Sequence, residues 1–213
     1  MNNIDFKNFH FYVINWFNRN GRMFPWRSTK NPYHVFVAEI LLRRTKAETV
    51  VAPYMDLINL YPTPFYLSDA DVSSLRNFFL SLGLFSRANQ LISSAKIIVK
   101  NYGGEMPRKL DELAKLPGVG YYSSRAINCL AFDDLVTMID ESSGRLIRRL
   151  LKLPQKGPAY TDKKLIEITE SLLPSKNIRE FNLGLLDIAY YYCKHAETRC
   201  YECPLVKICS NPS

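Results

Sequence analysis

The chain has 213 residues, 47% hydrophobic and 13% aromatic, and its 28 lysines and arginines outnumber 20 aspartates and glutamates for a formal charge of +8. That apolar content excludes a disordered chain and is enough for one large core or two small ones. No apolar run reaches the roughly 18 residues of a membrane span, and the positive surplus favours a polyanionic partner, nucleic acid first.

Phe6, Phe9, Val13, Trp16 and Phe17 recur at spacings of three and four, which predicts an amphipathic helix ended by Gly21. After a loop over Pro25–Asn31, Pro32 opens a second helix with apolar positions Val35, Val37, Ile40 and Leu41. Ser68-Asp69-Ala70-Asp71 reads as an N-cap with an acid at N3, starting a helix that carries Leu75, Phe78 and Phe79. Gly83 interrupts, and a further helix runs through Leu91, Ala95 and Ile98. Gly103-Gly104 and Pro107 mark a turn before a short helix from Leu110 to Leu113. Leu135 to Ile139 is the best strand candidate, but it is too short and isolated to make a sheet. The expected fold class is all-α.

Leu116-Pro117-Gly118-Val119-Gly120 joins that short helix to a longer one beginning near Tyr121. Two glycines around one hydrophobic residue permit a tight turn whose N–H groups face outward. At the start of the next helix such groups favour an anion. The turn carries no lysine or arginine, so its contact would be to backbone phosphate and blind to base sequence.

Near the end of the sequence Cys193, Cys200, Cys203 and Cys209 are spaced C-x6-C-x2-C-x5-C. Four soft thiolates so close together ask for a shared ligand, an iron–sulfur cluster or zinc. A disulfide framework is disfavoured, because such frameworks belong to small secreted domains and no signal-peptide pattern opens this chain. The setting expected is cytoplasmic, beside the nucleoid. Cys129, among apolar neighbours, reads as a buried thiol. His10 and His34 lack partner motifs.

Leu116–Gly120, Asp140 twenty residues after Gly120, and the cysteine spacing together resemble the helix–hairpin–helix DNA glycosylases of the endonuclease III superfamily. Phe24-Pro25-Trp26-Arg27, Pro32-Tyr33 and Ala38-Glu39-Ile40-Leu41-Leu42-Arg43-Arg44-Thr45 resemble the N-terminal signature of its adenine and thymine branches, as does Phe181 to Asp187 ahead of Cys193. The resemblance implies two domains: a six-helix domain over residues 28–131 and a discontinuous iron–sulfur domain from residues 1–27 and 132–213, with double-stranded DNA across the cleft between them. It implies a [4Fe–4S] cluster on Cys193, Cys200, Cys203 and Cys209, DNA contacts from Leu116, Gly118, Val119 and Gly120, and a monomer.

Such an enzyme flips a nucleotide out of the duplex before cutting its N-glycosidic bond. Positive charge then grows on the sugar, and a carboxylate stabilises it while orienting water; Asp140 is the candidate, its bland alternative being an N-cap. The resemblance places a lyase-type lysine two residues after the second glycine, where this chain has Tyr122. A phenol forms no imine, so hydrolysis by water is expected. Tyrosine there resembles the glycosylases that remove thymine opposite guanine. The glutamate matching Glu39 protonates the leaving purine in the adenine branch and in the thymine branch would contact the pyrimidine's polar edge; the bland alternative is an exposed Glu39 paired with Arg43 one turn on. Arg43 and Arg44 follow on the same helix, one facing DNA to fill the gap or read the orphan guanine. Leu84 and Phe85 offer an apolar wedge, or core. Ser142 and Ser143 depart from the family pattern, and there is no room for the C-terminal domain with which adenine glycosylases recognise oxidised guanine. The reading is a monofunctional glycosylase for thymine or uracil in mismatched DNA. The alternatives are an adenine glycosylase, a non-catalytic zinc-bearing DNA-binding module and, disfavoured by Tyr122, a lyase.

Overall fold

The computed structural model describes residues 6–80 and 85–211. Among the described residues every regular element is a helix, beside one isolated bridge between Cys193 and Thr198. The chain divides into two compact units, Met1–Arg22 with Asp133–Ser213, and Met23–Phe132.

The continuous unit is built around α2 (Pro32–Leu42). Asn31 starts it by accepting hydrogen bonds from the Tyr33 and His34 N–H groups at 3.0 and 3.4 Å, with Pro32 at the position where no N–H is needed. From Val35 to Leu41 every residue is buried, so α2 is apolar on all sides and is covered by α3 (Ala47–Leu60), α6 (Phe85–Tyr102) and α8 (Tyr121–Phe132). The lone acid in this stretch, Glu39, is buried with it.

Between α3 and α6 lie α4 (Pro64–Ser68) and α5 (Val72–Phe78), and α7 (Leu110–Leu113) precedes α8. The cap of α5 differs from the one expected. Pro64 starts an extra turn of helix, Ser68 is used up as its last residue, and Asp71 caps α5 by accepting from Ser74 N–H at 2.7 Å. Leu84 lies outside the described residues, as does the side chain of Phe85, so the wedge falls there too.

The discontinuous unit holds α1 (Phe6–Asn20), α9 (Glu141–Leu150), α10 (Lys163–Ser171) and α11 (Ile178–Tyr192). Its two sequence segments are joined by α1 packing along α11, with Phe9 and Phe181 edge to face at 5.4 Å. Gly184 makes the approach possible, since a Cβ there would stand 2.8 Å from Val13 Cγ1 and 3.1 Å from its carbonyl oxygen. Asp187, wholly buried, accepts from the Arg22 backbone N–H and from its Nε, each at 2.8 Å, which fixes the exit of α1. A buried ion pair holds only when its remaining bonds are made, and here backbone and guanidinium both serve the one carboxylate.

Leu135 to Ile139 has no regular structure and joins no strand. The α11 side chain of Asn182 takes the place of a neighbouring strand: its Oδ1 accepts from Met138 N–H at 2.9 Å and its Nδ2 donates to Val136 O at 3.0 Å. One amide satisfies the buried Met138 N–H and the half-buried Val136 carbonyl, which would otherwise call for a ladder partner.

Candidate active site

That strap delivers Asp140 to the start of α9. Asp140 is the N-cap, and the bonds it makes there converge on one oxygen: Oδ1 accepts from Ser143 N–H at 2.7 Å and from Ser143 Oγ at 2.8 Å. Ser143 Oγ in turn accepts from Asp140 N–H at 2.9 Å, closing a capping box. Ser143, a departure by family pattern, is thus explained by the helix start it builds. Asp140 is half-buried and Ser143 buried. The carboxylate is therefore held in one orientation on a residue that is only half-buried.

In the other unit Glu39 is 5% exposed, and burial pushes its pKa up to about 8, against the opposing pull of a Ser123 hydrogen bond and the Arg27 charge. The exposed pair with Arg43 does not form. Arg43 instead donates to Gln90 Oε1 at 3.0 Å. The Ser123 bond sets the acid beside the first turn of α8, one residue from the half-buried Tyr122. Next to it the Arg125 guanidinium lies 3.8 Å above the Tyr121 ring.

Arg43 and Arg44 do not continue α2. The helix ends at Leu42, Arg43 is its C-cap, and Arg44 takes a left-handed φ of 55° just beyond. The buried Arg87 produces this stop by donating to the carbonyls of Leu41 and Arg43. Both arginines are exposed in the resulting turn.

Gln90 also lies against the Leu116–Gly120 turn. Gly118 has φ 87°, and a Cβ on it would stand 2.8 Å from Gln90 Oε1 and 2.9 Å from Ile40 Cδ1. Gly120 differs: a Cβ there would meet nothing within 4 Å. The first glycine is required by the fold. The second is exposed at the start of α8, where its carbonyl accepts from Ser124 N–H at 3.0 Å. Leu116 and Val119 are buried and anchor the turn.

The cysteine loop is tied to α9 by residues the sequence reading passed over. Arg145 Nε donates to Cys193 O at 2.8 Å; Arg149 Nη1 donates to Lys194 O at 2.9 Å and reaches Cys193 Sγ at 3.4 Å. Their spacing of four, on one face of a helix that starts at Asp140, is the signal that marks them. At the far end Ser210 N–H donates to Leu150 O at 3.0 Å. Burial, then the charges of Cys193, Cys209 and Cys200, push the Cys203 thiol up to about 11. Among the described residues no three His, Cys, Asp or Glu side chains close on a single point as around one metal ion. Cys129 is buried apart, and His10 Nε2 lies 2.7 Å from Leu172 O.

Residues 37–171 match the family model of the HhH-GPD superfamily base excision DNA repair proteins. A thymine/uracil-DNA glycosylase of Methanothermobacter thermautotrophicus is 35% identical over 93% of this chain and 90% of its own length. The adenine DNA glycosylase of Buchnera aphidicola subsp. Baizongia pistaciae is 31% identical over 95% of this chain but 58% of its own length. Among solved structures, a thermostable thymine-DNA glycosylase superposes with a TM-score of 0.87 at 34% identity, covering 96% of this chain and 95% of that one.

Proposed function

The chain belongs to the HhH-GPD superfamily of base excision DNA repair proteins, and on that premise we propose that it is a monofunctional DNA glycosylase removing thymine or uracil mispaired with guanine. The observation that carries the reading is the near-full-length likeness to thymine and thymine/uracil glycosylases in both sequence and fold. Tyr122 and Glu39 support it from the chemistry.

In this mechanism the C1′–N1 bond breaks and its electron pair leaves with the base. The sugar gains positive charge, which Asp140 stabilises through the oxygen the capping box does not use. Water adds to C1′ and gives its proton to Asp140 on the way to solvent, leaving an abasic site. Glu39, protonated at neutral pH because it is buried, donates to a carbonyl oxygen of the pyrimidine and so steadies the charge the base takes away. Tyr122 shapes the pocket beside it and supplies no amine for a covalent step.

The exposed amides at the start of α8, opened by Gly120, would hold a backbone phosphate, and Arg43 and Arg44 would enter the duplex where the base has left. Cys193, Cys200, Cys203 and Cys209 would hold a [4Fe–4S] cluster. The four thiols lie on one loop that Arg145 and Arg149 fasten to α9, and soft thiolates are the donors that hold iron–sulfur clusters. Bound there, it would supply a rigid fastening for the loop, with no part in breaking the bond.

Asp140→Asn tests the catalytic assignment. Base release should fall by three orders of magnitude or more, the ~4 kcal/mol of a lost transition-state charge contact, while duplex binding persists. Borohydride should trap no covalent DNA adduct in the parent chain. An abundant adduct, or undiminished release by Asp140→Asn, contradicts the proposal.

A further inference from the structure

Asp140 is held more tightly than a helix start requires. The same unit offers a second aspartate cap for comparison: Asp162 starts α10 by accepting from Leu165 N–H at 3.2 Å, and the leucine at that position has no side-chain donor to add. At α9 the equivalent backbone bond is present, from Ser143 N–H at 2.7 Å. The Ser143 hydroxyl then adds a second bond to the same carboxylate oxygen at 2.8 Å, while accepting from Asp140 N–H at 2.9 Å. Ser143 is 1% exposed, so water does not compete for that hydroxyl, and its single proton is committed to Asp140 Oδ1. The backbone on either side is fixed as well. Asn182 holds Val136 and Met138 ahead of Asp140, Glu141 accepts from Ala159 N–H at 2.8 Å, and a Cβ on Gly144 would stand 2.4 Å from Ala159 Cβ.

We propose that Ser143 is a positioning residue for base excision: its hydroxyl locks Asp140 Oδ1, so that Oδ2 is the oxygen presented to the sugar and to the attacking water. The inference rests on the catalytic role proposed for Asp140. A carboxylate held through one N–H can still turn about its last side-chain bond and exchange its two oxygens. Two donors meeting at Oδ1, one a backbone N–H and the other a buried hydroxyl, oppose that turn. The carboxylate is then already oriented when positive charge grows on the sugar, and spends nothing on reorganising. Ser143 touches no reacting atom, so its whole contribution is orientation. Misplacing a reacting group by about an ångström costs on the order of 100-fold in rate.

The test compares Ser143→Thr with Ser143→Val, side chains of similar shape of which only threonine carries the hydroxyl. Base release is measured in single turnover on T·G and U·G duplexes with protein saturating, at a temperature where circular dichroism shows both variants folded. Threonine should release base within about threefold of the parent, and valine about 30- to 100-fold more slowly, with the Kd for mismatched duplex the same in both. If valine does not fold, Ser143→Ala replaces it with the same expectation, since the backbone bond of the cap remains. Ser73→Ala, which takes a serine hydroxyl from the exposed capping carboxylate of Asp71, should leave the rate alone. A hydroxyl that serves only the helix start would separate the Ser143 variants in melting temperature but not in rate. Equal rates with and without the hydroxyl therefore overturn the proposal. Equal rates beside abolished release in Asp140→Asn sink the Ser143 assignment and leave the glycosylase standing. A parent chain that releases no base from any mismatch sinks the glycosylase reading and this assignment with it.

Discussion

In the proposed mechanism, Glu39 separates thymine or uracil release from adenine release. Its place in the middle of an all-apolar helix makes it a buried acid that keeps its proton to about pH 8, where an ordinary glutamate loses it near 4.5. Between those values the folded chain binds a proton that the unfolded chain has released. Stability therefore falls as pH rises through that window and levels off above it. Glu39→Gln should remove this slope and stabilise the protein increasingly from pH 5 to 8, as read by urea unfolding. In base release the parent should lose rate above about pH 8. Glu39→Gln should keep most of its thymine or uracil release with that alkaline limb gone, because an amide still donates to a carbonyl. An enzyme that must protonate a leaving purine would instead be disabled by the same change. The acid itself was legible from sequence as a candidate. Its burial was not, because an i to i+4 pair with Arg43 is equally good on a helix whose exposure is unknown, and only the Arg87 stop after Leu42 rules that pair out.

At the scale of elements, the Leu116–Gly120 turn assigns different work to its two glycines. Gly118→Ala must strain a backbone at φ 87° and push into Gln90 and Ile40, so it should cost about 1–3 kcal/mol of stability. Gly120→Ala meets no protein atom and should leave the melting temperature within a degree or two. Its methyl would sit where a phosphate must approach, so duplex affinity should drop severalfold. Equal loss of stability in both variants would contradict this division. The turn, α1, α2 and α7 were readable because each rests on local chemistry: a periodic stripe, a proline start, a glycine stop. The cap at Asp71 was misplaced because Pro64 had already begun a helix that absorbs Ser68. The 135–139 segment carries a strand pattern without a strand, since its partner is the Asn182 side chain 44 residues away from Met138. Long-range side-chain partners of that kind leave no local trace.

Over the whole molecule, the candidate residues divide between the two units. Met23–Phe132 holds Glu39, Tyr122 and the glycine turn, whereas the discontinuous unit holds Asp140 and the cysteine loop. The motifs named the superfamily because glycines, cysteines and an aspartate at fixed spacing are constrained by chemistry. The fastenings were hidden from sequence. Arg145 and Arg149 bind the cysteine loop to the helix that Asp140 starts, and Arg22 with Asp187 ties the first segment to the last, by contacts that only folding brings together. The most direct test of the account is base release from otherwise identical duplexes containing T·G, U·G, A·G or A·8-oxoguanine, with free base and abasic strand both quantified. The account predicts thymine or uracil release opposite guanine, abolished by Asp140→Asn. Adenine release without thymine or uracil release would contradict it.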